Sequence, residues 1–465
     1  MKKKLIVAVI ALFILTFSFA AAPKQANAIP AFAQKYHFSC AVCHTVFPNL
    51  NPFGRAFWRN GFRLPDTNGT PADATQITQG LSLPNPWPVP IMIEPAIQYQ
   101  HYTNENVSPQ TDGFSAGADI VAAGAFKLYT PFANSVSFYV HYGDSPLAQK
   151  QVVASINGIG SGFGIAPNLL NLKIGQVTTA SPYFYRQAPF YLVGDGPVQN
   201  GQGLAVGNDG ESGALIHARN AGLDIYGTPG YHLWYKVTVT NDAGASAVNA
   251  NANGASNAME YSYQLREIAP ISAGQLEFGY YGATIAEPMG GAAGYTNRIL
   301  VNGFDADLAN NIYEVGAMYM TQNDSHPYGN PSVASTPITL RGAVVGNTAS
   351  SNGYSTFELY GRYLFPKLFL GNGVMLSVDY AQYSWNHKDL QEGFNGNTAA
   401  CPANGNLYQS GVYNNNAGCL NEGIKDAFDV SVWLNLAYNA HLYVEYFATN
   451  KSQDNSLGTG LDFAF

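Results

Sequence analysis

Charge is what this chain lacks most. Its 22 Lys and Arg and 30 Asp and Glu make up 11% of 465 residues, where a soluble domain carries about 25%. That is not the surface of an ordinary cytosolic enzyme. Disorder is excluded as well, because disordered chains join high charge to low hydrophobicity, and 46% of this chain is hydrophobic. Long apolar runs are equally scarce. Only Leu5 to Ala22 forms one, and a polytopic helical membrane protein would need several of about 20 residues each. Cysteine is limited to four residues. What abounds is Gly, Tyr and Phe, at 48, 30 and 26, the composition of many aromatic strands joined by short polar spacers.

The apolar run follows Lys2, Lys3 and Lys4 and precedes Ala26, Asn27 and Ala28, a small-x-small cleavage site. Residues 1–28 therefore read as a secretory signal peptide, with an uncleaved anchor as the other reading. Cleavage removes four lysines and no acid, leaving 18 bases against 30 acids, a net charge of −12. An acidic chain of this kind does not suit nucleic acid.

The four cysteines form two pairs of different character. Cys401 and Cys419 lie in an Asn/Gly-rich stretch. In an exported protein they most simply form a disulfide closing a surface loop, and a metal site is the alternative. Cys40 and Cys43 are followed at once by His44. C-x-x-C-H is the c-type haem attachment spacing: two thiols on one turn meet the two vinyl groups, and the adjacent imidazole reaches the iron. The competing readings are a thioredoxin-like pair, which needs a βαβ context, and a zinc site, which needs two further ligands nearby. Residues 29–88 thus read as a segment binding one haem c. Phe47, Pro48, Leu50, Phe53, Gly54, Phe57, Trp58 and Phe62 are its expected apolar cover. Arg55, Arg59 and Arg63 recur every four residues. A helix through Arg59 puts the first two on one face, where they either contact haem propionates or are solvated.

From residue 89 on, the apolar period is 2 rather than 3.6. Val374, Leu376, Val378 and Tyr380 alternate with Met375, Ser377 and Asp379, for example. Sixteen strands are expected, near 89–102, 115–129, 134–143, 168–178, 184–195, 213–226, 230–241, 257–268, 273–285, 296–306, 311–322, 353–365, 370–385, 425–437, 441–450 and 456–465. Short turns at 130–133, 227–229, 269–272 and 366–369 alternate with long loops at 144–167, 242–256, 323–352 and 386–424. Strands of about ten residues with one-sided loop asymmetry describe a transmembrane β-barrel. The fold class is all-β: a 16-stranded antiparallel barrel over 89–465, preceded by a short, mainly helical or irregular cytochrome c segment.

The polar face then lines the lumen. It holds Glu94, Asp119, Glu260, Glu277, Glu314, Glu358, Asp379, Asp429 and Glu445 against Lys127, Lys173, Lys236, Arg266 and Arg362. This lining either favours cations or is a generic salt-bridged wall. A sixth ligand to the iron would tune its potential. The haem segment offers His37, close to Cys40. From the wall, Met92, His232, Met375 and His441 are expected to point inward near the periplasmic ends, and His141, Met318 and Met320 near the outer ends.

Ile29, Pro30, Ala31, Phe32 and Ala33, then the C-x-x-C-H run, then Phe47, Pro48, Asn49, Leu50 and Phe53, Gly54, Arg55, Ala56, Phe57 carry a further likeness. Together they resemble the N-terminal signature of the fused monohaem cytochrome–porins of iron-oxidising bacteria. In that family a P-x-F-A-R run precedes C-x-x-C-H, and P-x-L-x-x-F-G-R-x-F follows. Here Gln34 replaces the Arg, and His37 stands in a stretch that usually has no His. Specific motifs cover about the first 35 mature residues. The resemblance implies a bacterial outer-membrane protein, with the haem at the periplasmic side or inside the lumen. It would oxidise extracellular Fe(II) and pass electrons to a periplasmic cytochrome. A solute porin with a structural or gating haem, and an outward electron conduit, are the alternatives.

Overall fold

The computed structural model describes residues 31–36, 38–46, 49–64, 75–78, 81–83, 89, 91–102, 113–128, 130–143, 151–178, 219–241, 259–289, 295–324, 338–340, 343–345, 352–368, 373–385, 426–437, 440–449 and 455–463. Sixteen of its strands close into one antiparallel barrel. In chain order they are β1 (Ile91–Tyr102), β2 (Gly113–Lys127), β3 (Ser135–Gly143), β4 (Gln151–Asn157), β5 (Asn171–Thr178), β6 (Arg219–Gly227), β7 (Leu233–Asn241) and β8 (Met259–Ile271). The circuit continues through β9 (Gly274–Met289), β10 (Tyr295–Ala309), β11 (Tyr313–Asp324), β12 (Asn352–Phe365), β13 (Val374–Trp385), β14 (Asp426–Ala437), β15 (Ala440–Thr449) and β16 (Ser456–Phe463). Each strand pairs with the next, and β16 pairs back onto β1 through partners such as Leu461 and Ile97. Closure leaves no strand edge unpaired, the condition hydrocarbon imposes on a sheet that crosses it.

The loop asymmetry is present. One end carries the connections 128–134, 158–170, 228–232, 272–273, 310–312, 366–373 and 438–439. The other carries 103–112, 144–150, 179–218, 242–258, 290–294, 325–351, 386–425 and 450–455. The sequence-based strand list needs one correction. Residues 151–157, expected inside a loop, form β4, with Gln151, Val153, Ser155 and Asn157 inward and Val152 and Ile156 outward. Its inward set is polar or small, so no long apolar alternation announced it. The expected strand 184–195 lies outside the described residues, as do the signal peptide, His37, Cys401 and Cys419.

Alternation sorts the side chains as a membrane barrel requires. The outward set includes Ile97, Ile120, Ile174, Leu223, Leu359 and Val444, all exposed. Aromatic residues flank this belt. Phe114, Tyr142, Tyr261, Tyr319, Phe428 and Tyr446 lie toward the long-connection end, and Phe132, Phe163, Tyr231, Tyr363 and Phe365 toward the short-turn end. Inward, all nine expected acids are buried. A barrel of this strand number is wide enough to leave an open channel when nothing fills it. Here the segment before β1 fills part of it, at the short-turn end.

Candidate functional site

Among its described residues, the N-terminal segment contains three short helices, α1 (Ala31–Tyr36), α2 (Cys40–Cys43) and α3 (Pro52–Arg59). Helix α2 is the Cys-Ala-Val-Cys turn itself. His44 leaves it in extended conformation and begins a hairpin, His44–Val46 against Asn49–Leu50. Both thiols are free and partly buried. Burial raises Cys40, and burial together with the neighbouring Cys40 pushes Cys43 up to about 11. The turn leads into this antiparallel hairpin, not into the βαβ context that a thioredoxin-like pair needs.

Asn51 ties this turn to α3. It is the N-cap residue, its Oδ1 accepting from Gly54 N–H at 2.9 Å, while its Nδ2 donates to the carbonyls of Ala41 at 3.2 Å and Val42 at 3.0 Å. Its own N–H donates to Cys43 O at 2.9 Å. Pro52 suits the first helical turn, where no N–H is needed. Gly54 permits the contact: a Cβ there would collide with the Cys43 carbonyl. Asn51→Ala removes the cap and both side-chain donations, a loss of about 2 kcal/mol. Hydrogen exchange across residues 40–55 should then accelerate by at least about tenfold. Asn51→Asp keeps the cap and should fall between. Unchanged exchange in Asn51→Ala would remove Asn51 from the lock.

An aromatic cluster forms between the segments that flank the turn. Phe32 stacks on Phe62 at 5.1 Å and meets Phe57 edge-on at 4.9 Å. Tyr36 stacks on Phe38 at 5.5 Å, and Phe38 meets Phe53 edge-on at 5.9 Å. Of the expected cover, Phe53, Phe57 and Phe62 belong to it, and Phe47 and Pro48 lie outside the described residues. Trp58 turns away to the wall, 6.3 Å from Trp234 and 4.9 Å from Lys173 Nζ. Tyr36 and Phe38 had carried no sequence signal beyond their proximity to Cys40, and Phe32 had stood only in the N-terminal signature. After α3 the chain reverses through Gly61 and Phe62 at φ of 67° and 60°. The left-handed region is uncommon for a bulky residue. It places the Phe62 ring against both Phe32 and Tyr139 of β3.

The three arginines fasten the segment to the barrel. Arg55 is fully buried and lies between Asp307 (2.6 Å) and Glu314. Burial alone would lower its pKa, but Asp307, Glu314 and Glu277 hold it well above the ordinary value. Arg59 pairs with Glu277. Arg63 donates to Pro167 O and Asn171 Oδ1, both at 3.1 Å, and burial lowers its pKa. From the wall, Arg362 bonds both Glu314 (3.0 Å) and Asn49. The expected shared face of Arg55 and Arg59 is therefore present, but wall carboxylates take both guanidinium groups. Their burial rules out a solvated face. Asp307 was missed because the expected strand stopped at 306, and Asp305, inside that strand, was not named among the inward acids. Their alternation with Phe304 and Ala306 was the available signal.

The acidic lining divides accordingly. On β9–β11 the carboxylates are neutralised by Arg55, Arg59 and Arg266. On β1 and β2, Glu94 and Asp119 face each other across the sheet, with His141 Nε2 at 3.7 Å and 3.0 Å.

The expected iron-ligand candidates also separate. Met92, Met318, Met320, Met375 and His441 are inward and buried, and His141 pairs with the acids just named. His232 is a correction. It is exposed in the 228–232 turn, its ring bonded to Gly230 O at 3.1 Å, because β7 starts at Leu233, three residues after the expected start. Two candidates lie beside the C-x-x-C-H turn. Val46 packs in one buried cluster with Met375, Trp433 and Tyr443. His44 is close enough to His441 for their charges to interact.

No family model and no curated protein matches the chain. Among solved structures, a Salmonella typhi OmpF in complex with daunomycin is 12% identical, with a TM-score of 0.49 over 84% of this chain and all of that one. A variant of Rh. blastica porin is 11% identical, with a TM-score of 0.42 over 81% and 100%. Outer-membrane expressed OmpT of Vibrio cholerae is 9% identical, with a TM-score of 0.43 over 81% and 97%. The barrel itself stands on its strand pairing.

Proposed function

We propose that this chain is an outer-membrane electron-transfer protein. It carries one haem c on Cys40, Cys43 and His44, oxidises Fe(II) outside the cell, and passes the electrons to a periplasmic cytochrome. The observation that carries this reading is the seating of the C-x-x-C-H turn inside a closed barrel, on a segment held by buried ion pairs. The residues fit a covalently held haem. Two free thiols share one helical turn, the next residue is an imidazole, and an aromatic cluster is built from the segments that flank that turn. When bound, a haem supplies a one-electron iron couple, chemistry that belongs to the cofactor.

The chain's own residues do the rest. Cys40 and Cys43 attach, His44 offers the proximal nitrogen, and the Arg55 and Arg59 pairs fix the position of the turn against the wall. The aromatic rings exclude water. The apolar exterior and its two aromatic girdles support placement in the outer membrane, in contact with lipid. The short turns and the haem segment then lie on the periplasmic side. Each external Fe(II) leaves as Fe(III), and its electron ends on the periplasmic acceptor. The choice of Fe(II) rests on the resemblance of the N-terminal signature.

A solute porin with a structural or gating haem is the second reading, favoured by the sixteen-strand barrel with a polar inner wall. An outward conduit would use the same site with the direction set by potential. Anaerobic stopped-flow mixing of the oxidised protein with Fe(II) tests the first reading: the haem bands should move to their reduced positions. No reduction at any pH tried would overturn Fe(II) oxidation. Rapid swelling of liposomes in small solutes would instead support the porin.

A further inference from the structure

We propose that His441, on the barrel wall, is the second axial ligand to the haem iron, so that the iron joins the N-terminal segment to the barrel. This rests on the haem reading above. His441 is the second residue of β15, at the short-turn end where the segment is seated, and it is buried. It lies within electrostatic reach of His44. The residues around it are the ones that receive the segment: the Trp433 ring is 5.9 Å from the His441 ring and stacks on Tyr443 at 5.6 Å, and both share one buried cluster with Val46, two residues after His44.

The hydrogen bonding of the ring suits a ligand. His441 Nδ1 is 3.0 Å from Asn435 Oδ1, so with the proton on Nδ1 the ring donates there and Nε2 carries the lone pair. A metal-bound histidine usually has such a partner on its other nitrogen, which fixes tautomer and ring orientation. Asn435 is itself fixed, standing opposite His441 in the sheet and donating its backbone N–H to Gly373 O at 3.1 Å. Met375 is the competitor. It is fully buried in the same cluster, but its neighbours there are apolar or aromatic, an environment that a core methionine fills by packing alone.

Optical and electron paramagnetic resonance spectra of the purified full-length holoprotein decide between them. In the wild type the ferric haem should be low-spin, without the near-infrared charge-transfer band of methionine ligation. His441→Ala should become high-spin, and added imidazole should restore the low-spin spectrum. His441→Met should acquire the methionine band, and its midpoint potential should rise. Met375→Leu should leave the wild-type spectrum in place. A low-spin His441→Ala spectrum, or a Met375→Leu variant that turns high-spin, overturns the inference. Pyridine haemochrome assay of the wild type separates the two levels: absence of haem there overturns the haem reading itself, and with it this ligand.

Discussion

Arg55→Ala is expected to release the N-terminal segment from the lumen. The guanidinium is fully buried, and it lies between Asp307 and Glu314 on neighbouring strands. Truncating one partner of a buried pair costs roughly 3–5 kcal/mol, because the other charge stays buried without compensation. Here two carboxylates lose the same partner. Arg362 still bonds Glu314 at 3.0 Å, but Asp307 keeps only Arg266 at 4.0 Å. Loss of several kcal/mol should shift the segment from docked to largely undocked. Two measurements follow: single-channel conductance in planar bilayers should rise several-fold, and protease should cleave residues 31–64 while leaving the barrel intact. Arg55→Lys should rescue only in part, since a point charge cannot fork to two carboxylates. Combining Arg55→Met with Asp307→Asn should restore much of the docking, because Asp307 then carries no uncompensated charge while Glu314 keeps Arg362 at 3.0 Å. Wild-type conductance and protease resistance in Arg55→Ala would remove Arg55 as the clamp.

Alkaline pH should not mimic that substitution. The folded-state pKa of Arg55 is raised well above its ordinary value by the carboxylates of Asp307, Glu314 and Glu277. A raised basic group stabilises fully below the unfolded pKa and loses that contribution only as pH climbs through the folded one. The Arg55 contribution is therefore complete across the working range. Conductance that stays low up to pH ~11 is the expected result, in keeping with the guanidinium's unperturbed pKa of more than 12.

The second large effect belongs to the thiols. Cys40→Ala combined with Cys43→Ala should abolish covalent haem completely, read as peroxidase-active staining of the denatured band. Either single variant should retain one thioether and a red-shifted α-band. The barrel should survive in the double variant, because its sixteen strands are paired without any contribution from residues 40–43. Heat-modifiable migration in gels would report that. Haem that still resists acid extraction in the double variant would show that attachment lies elsewhere.

Much of this molecule could be read from short stretches of sequence. The alternation of Met375, Ser377 and Asp379 with Leu376 and Val378 placed every one of these residues on the correct face, because a pleated strand turns neighbours to opposite sides. It failed at β4, where the inward residues Gln151, Ser155 and Asn157 gave little apolar contrast, and at His232, where the alternation was carried three residues too far into a turn. The four-residue spacing of Arg55 and Arg59 told which face of α3 they share. What they would touch was not legible. Asp307 and Glu314 lie 252 and 259 residues from Arg55 in sequence, and no local pattern names a partner that far away.

By itself, then, the sequence determined what repeats or reads over a few residues: the period of the strands, the inward and outward faces, the C-x-x-C-H turn and the helix beside it. Only the tertiary structure decided that this turn is seated within the barrel, that wall carboxylates hold Arg55 and Arg59, and that His441 rather than His232 stands near His44. The physical reason is that strand period and helix spacing follow from backbone geometry, which each segment carries within itself. The pairing of a plug with a wall depends on barrel closure, and closure is a property of all sixteen strands at once.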